Sequence, residues 1–198
     1  YPKETVYDVL NFEYTSGYVT ILNNLQAVID LNKNPETAAA ALSNGSNANQ
    51  IAVAMILKAF NFQNMTDRWG MIPYSEALQG ISKPFAKFDS QDDIYKGLFT
   101  DIDAALAMID AGAGPKGDVI LSGKMADWKR FANSLKMTMA LRLAKKYPAV
   151  GGLAAVKFNE AMNAGTISSN AQNLSLPYIA DEAYDNPWED RFETRTDY

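Results

Sequence analysis

The chain has 198 residues, 47% of them hydrophobic, and a formal net charge of −5, with no cysteine and no histidine. That length and apolar content suit a globular domain with a substantial core. The acidic balance argues against nucleic acid, whose phosphates require clustered Lys and Arg, and the missing His and Cys remove Ser-His-Asp and Cys-His nucleophiles, thiolate redox chemistry and ordinary zinc sites.

Five helices are predicted in chain order. The first runs from about Glu4 to Leu31, with Val6, Leu10, Tyr14, Tyr18, Ile21, Leu25 and Ile29 at helical spacing. "NKNPE", Asn32 to Glu36, breaks it, and "SNGSNANQ", Ser43 to Gln50, reads as a loop. The second helix runs from about Asn47 to Trp69. Gly70 stands where a left-handed residue closes a helix, and Pro73 follows. The stretch "NFQNMTDRWGMIPYSEAL", Asn61 to Leu78, is therefore a corner. Gly70 supplies a positive φ, Pro73 pushes Ile72 toward extended backbone, and Ser75 is placed to cap a short following helix with Glu76 in its first turn.

"SKPFAKFDS", Ser82 to Ser90, connects to the third helix. Ser90 caps it by accepting from the Asp93 amide, and Asp92 and Asp93 favour its positive end. Ile94, Leu98, Ile102, Leu106 and Ile109 form its stripe, and "AGAGPKGD", Ala111 to Asp118, ends it. The fourth helix follows Ser122 and Gly123. Trp128, Phe131, Leu135, Met139 and Leu143 form one face, while Met137, Leu141 and Ala144 form a second. Two apolar faces predict burial on more than one side. Lys145 and Lys146 occupy its last turn and Pro148 stops it. The fifth helix covers Leu153 to Asn163, ended by Gly165, and the chain beyond is loop-like. No strand alternation is strong. The expected class is all-α, with antiparallel helix pairs joined by long loops, and long loops on a helical scaffold commonly carry function.

Three stretches taken together resemble a known family: "NMTDRWGMIPYSEAL" (Asn64 to Leu78), "KFDSQDDIYKGLFTDIDAAL" (Lys87 to Leu106) and "GDVILSGKMADWKRFANSLKMTMALRLAK" (Gly117 to Lys145). In that order they are similar to the SusD/RagB-like nutrient-binding lipoproteins of Bacteroidetes outer membranes. The closer match is the branch with a "PYSEA" corner and a "WxxFANSLK" helix. "DNPW", Asp185 to Trp188, lies where that branch often has an Asn-Pro-aromatic loop. The resemblance implies helix pairs like those of tetratricopeptide repeats, with ligand-contacting loops on one face. It also implies a non-catalytic, lipid-anchored protein of the bacterial cell surface. Such a protein caps a SusC-like TonB-dependent transporter and delivers oligosaccharides or peptides to it. The family's N-terminal signal, lipid-bearing Cys and large C-terminal part are not in this sequence. Residues 1–198 accordingly read as a single SusD-like helical domain, a fragment of a longer protein lacking both ends.

The segment "LPYIADEAYDNPWEDRF", Leu176 to Phe192, is the strongest site candidate. Tyr178, Tyr184 and Trp188 offer flat rings for the C–H face of a sugar, while Asp185, Asn186 and Arg191 are suited to its hydroxyls. The competing reading is a loop whose aromatics staple it to the scaffold. Trp69 and Tyr74 at the corner carry the same choice between stacking on a sugar and packing inside. Asn133, inside the fourth helix, is expected to clamp a loop backbone. Arg130 and Arg142 are expected to pair with Asp67, Glu76 or Asp127. No cofactor is expected; Asp181, Glu182, Asp185, Glu189 and Asp190 are suited to calcium but match no EF-hand spacing. The same acids leave a carboxylate glycosidase open as the enzymatic alternative, since that chemistry needs two carboxylates about 5–10 Å apart. A peptide-binding protein on the same scaffold is the other alternative.

Overall fold

A computed structural model describes residues 15–178 together with Asn186, Trp188 and Glu189. A π-helical turn, Gly17–Leu22, runs into α1, Asn23–Lys33. The short α2, Ala38–Ala41, follows, continued by the 3-10 turn Leu42–Asn44. Then come α3, Asn47–Trp69; β1, Ile72–Pro73; β2, Phe88–Asp89; α4, Gln91–Met108; α5, Met125–Leu143; and α6, Leu153–Ala164. The strands form one two-residue antiparallel pair, so the fold is all-α.

Cross-helix partners show that successive long helices run antiparallel. Asn47 at the start of α3 donates to the Asn32 carbonyl near the end of α1, while Lys58 reaches Gln26 at 2.5 Å. Asn49 holds Asp110 just past α4, and Asp67 near the end of α3 meets Tyr95 in the second turn of α4. Lys136 of α5 reaches Asp103 of α4 at 2.6 Å and Glu160 of α6 at 2.8 Å. One apolar cluster fills the centre, from Leu22 through Ile56 and Phe62 of α3, Leu98 and Ile102 of α4, to Trp128 and Met139 of α5.

The helix boundaries follow local chemistry. Gly70 closes α3 at φ 74° and Gly165 closes α6 at φ 95°. Ser90 Oγ accepts from the Asp93 amide at the start of α4. Asn133 clamps the Gly165 carbonyl at 3.1 Å, Arg142 pairs with Asp67 at 3.1 Å, and Arg130 pairs with Asp127.

Four expectations are corrected. The first helix passes through a π turn at Gly17–Leu22, whose extra residue per turn shifts the register, and Leu22 is buried while Ile21 is exposed. The linker after α1 contains α2 and a 3-10 turn, consistent with the high helix propensity of four successive alanines. No helix starts at Ser75: residues 75–78 form a turn, and a 3-10 turn follows only at Gly80–Ser82. Finally, the second apolar face of α5 is not covered, with Leu141 58% exposed and Ala144 exposed. Lys146 does more than face the helix dipole, because Asp92 receives it at 2.9 Å.

Candidate functional site

The corner after α3 is organised by a carboxylate from β2. Asp89 accepts from the Tyr74 amide (3.0 Å), the Ser75 amide (2.7 Å) and the Ser75 hydroxyl (2.9 Å). Burial opposes its charge, yet these bonds and Lys87 hold its pKa below the usual carboxylate value. The chain thus turns around Asp89, which does the capping expected of Ser75. Tyr74 points back onto the scaffold. Its ring meets Phe62 edge-on at 5.1 Å, and its hydroxyl donates to Asp101 at 2.5 Å. Burial and that carboxylate push its pKa well up.

Gly97 makes room for this ring. A Cβ there would overlap the Tyr74 ring and hydroxyl. Gly97→Ala is therefore expected to destabilise the chain by about 1–3 kcal/mol. Urea unfolding checks this, and a full-strength effect retained in a Tyr74→Ala background would refute the overlap as its cause.

Trp69 lies at the other side of the corner, half-buried, with the Arg68 guanidinium 6.0 Å from its ring. Both line a surface cavity of about 400 Å³, together with Phe60, Asn61 and Asn64 of α3 and Thr20 of the π turn. Phe60 is also held edge-on against Phe131 at 5.8 Å. Asn61 and Asn64 each give one amide N–H to the Leu57 and Phe60 carbonyls, so each keeps its oxygen as an acceptor and a second N–H as a donor. The cavity therefore joins aromatic rings, amide oxygens and a guanidinium, a combination suited to polyhydroxylated ligands. The sequence reading missed Phe60, Asn61, Asn64 and Arg68 as a group. Their signal was present: positions 61, 64 and 68 recur at helical spacing beside the apolar stripe of α3.

The other candidates are distributed. Trp188 is 78% exposed, and its amide donates to the Asn186 side chain at 3.0 Å. Tyr178 is exposed. Tyr184, Asp185 and Arg191 lie outside the described residues, as do Asp181, Glu182 and Asp190. Among the described residues, no group of three or more Asp or Glu side chains is gathered to hold a metal ion, and no helix is long and apolar enough to cross a membrane.

The scaffold is all-α, built of antiparallel helix pairs, and carries an aromatic and polar surface cavity. The chain belongs to the SusD-like family described as starch-binding and associating with the outer membrane, whose model matches residues 1–198. It is similar to the solved structure of a chitin-binding protein, 31% identical, with a TM-score of 0.68 over 81% of this chain and 32% of that one. A chitin-binding SusD homologue from Flavobacterium johnsoniae is 25% identical, with a TM-score of 0.71 over 91% and 36% of the two chains. A SusD homologue from Bacteroides uniformis is 27% identical, with a TM-score of 0.69 over 88% and 34%. The chain thus spans about a third of the length of the structures it matches. No curated protein matches it.

Proposed function

We propose that the chain is part of a non-catalytic surface protein that captures oligosaccharides and passes them to a SusC-like TonB-dependent transporter of the outer membrane. Membership of the starch-binding family supports this reading, as do the chitin-binding solved structures that the chain resembles. The observation that carries it here is the cavity bounded by Trp69, Arg68, Phe60, Asn61 and Asn64. A sugar's C–H face would lie against the rings while its hydroxyls donate to the amide oxygens. The exposed Trp188 ring, with Tyr178, Tyr184, Asp185, Asn186 and Arg191, would add contacts along an extended glycan. A lipid anchor would tether the protein to the cell surface.

The test is a tryptophan-fluorescence titration with chito-oligosaccharides, malto-oligosaccharides and a matched peptide panel. One glycan class is expected to bind saturably, and Trp69→Ala is expected to weaken it about tenfold, the scale of 1–2 kcal/mol for a lost ring contact. The glycans should be recovered at full length after incubation. Saturable binding to peptides alone overturns the ligand, shortened products overturn the non-catalytic role, and unchanged affinity in Trp69→Ala overturns the cavity.

A further inference from the structure

A second cavity, of about 370 Å³, opens where the end of α3, the first turn of α4 and the end of α5 meet. Tyr95 and Leu143 are its buried members. Asp67, Asp92, Arg142 and Lys146 make its charged wall, and Gln91 completes it.

The carboxylates are committed within the protein. One oxygen of Asp67 accepts from the Tyr95 hydroxyl at 2.6 Å; the other receives Gln63 and, at 3.1 Å, Arg142. Asp92 accepts from the Tyr147 hydroxyl at 2.7 Å, Lys146 at 2.9 Å and Lys96 at 2.8 Å. Bonds from Lys96, Tyr147 and Lys146 hold its pKa far below the usual carboxylate range, so it stays charged at neutral pH. The cations are not used up. Arg142 has five N–H donors and meets Asp67 through one nitrogen, while Lys146 has three and meets Asp92 through one. Their side chains are 53% and 55% exposed.

Arg142 in the last turn of α5 and Lys146 in the turn just past it are like charges on one cavity wall, which repel. Each has its own carboxylate, which offsets the repulsion and fixes the charged head in place. Gln91 gives one amide N–H to the Thr66 carbonyl at 2.8 Å, leaving its oxygen and its second N–H for a hydroxyl. Two cations, Arg142 and Lys146, thus face two carboxylates across the cavity, while Lys96, which is not in its wall, supplies a further partner to Asp92. The space is far larger than a simple anion needs and falls at the lower end of the roughly 300–1,000 Å³ range for small-molecule sites.

We propose that this cleft is a subsite for a carboxylate-bearing sugar, a hexuronate, with Arg142 and Lys146 taking the carboxylate and Gln91 a hydroxyl. The choice of a sugar rests on the glycan-capture reading, but the cleft does not depend on the Trp69 cavity. The experiment is an amide-resolved NMR titration with glucuronate, glucose and acetate at matched ionic strength. Glucuronate is expected to shift the Gln91, Tyr95 and Leu143 amides saturably, with glucose leaving them in place and acetate acting at least tenfold more weakly. Arg142→Gln is expected to weaken glucuronate binding about tenfold, as for loss of a charge-assisted pair. Lys146→Gln, which leaves the Asp67–Arg142 pair intact, is expected to weaken it severalfold and guards against misfolding of the first variant. Equal responses to glucuronate and glucose, equal responses to glucuronate and acetate, or undiminished binding in Lys146→Gln would each overturn the proposal. Glucuronate binding here without neutral-glycan binding at Trp69 would support this cleft and overturn only the Trp69 cavity.

Discussion

Trp128→Ala is expected to cost about 4 kcal/mol of folding free energy, within the range for emptying a large aromatic site in a core. Trp128 sits in the first turn of α5 and is 1% exposed. Its ring meets Phe131 edge-on at 6.0 Å, and Phe131 in turn holds Phe60 of α3. The indole N–H donates to Asp118 at 2.8 Å. Alanine therefore removes core volume and a hydrogen bond together. Trp128→Phe separates the two: it keeps most of the ring and loses the donor, and is expected to cost about 1–2 kcal/mol. Urea midpoints at an unchanged denaturant slope give both values. An alanine variant within 1 kcal/mol of the parent would show that the surroundings collapse onto the site at little cost.

The contrast between Trp128 and Leu141 shows what helical periodicity conveys. Both lie on α5 and both belong to apolar faces in the sequence, yet Trp128 is buried and Leu141 is exposed. A stripe records which residues share a face, not whether another element lies against it. Helix boundaries were more legible because their causes are local: Gly70, Ser90 and Gly165 each act within a few residues of the end they mark. The Asn133 clamp was legible because an amide among apolar neighbours needs a partner. The π turn before α1 was not, since Tyr18, Ile21 and Leu25 fit ordinary helical spacing. Nor was the capping of the corner, because Asp89 stands 14 and 15 positions from the amides it holds.

The same limit applied to the candidate site. Ring chemistry drew attention to Trp69 and Tyr74 alike, but neighbours distant in sequence separate them. Phe62 and Asp101 engage Tyr74 on the scaffold, whereas Trp69 stands in a cavity wall. The cavity itself needs Thr20 and Ile21 from one helix and Phe60 to Trp69 from another. No spacing within α3 predicts which part of the first helix will face it.

Asp118→Ala is expected to cost about 3 kcal/mol, because several donors lose one charged acceptor at once. One carboxylate oxygen accepts from the Ile120 and Leu121 amides at 3.0 and 3.1 Å. The other accepts from the Gly123 amide at 2.9 Å and the Trp128 indole at 2.8 Å. Asp118 thus folds the connection between α4 and α5 and fastens it to the core. Burial works against its charge, but bonds from Leu121, Gly123, Trp128 and Ile120 outweigh this and lower its pKa in the folded chain. The unfolded chain then takes up the proton at higher pH than the folded one. Asp118's contribution is complete above the unfolded carboxylate value of about 4 and is lost as pH falls through the lower folded value. Asp118→Asn keeps one acceptor oxygen and removes the titration, so its stability deficit is expected to be largest near neutrality and to shrink in acid. Combining Asp118→Ala with Trp128→Phe isolates the bond they share, and the double variant is expected to cost about 1 kcal/mol less than the two single costs together. Strict additivity would mean that the indole N–H gains nothing from Asp118, and that Trp128 holds α5 in the core by packing alone.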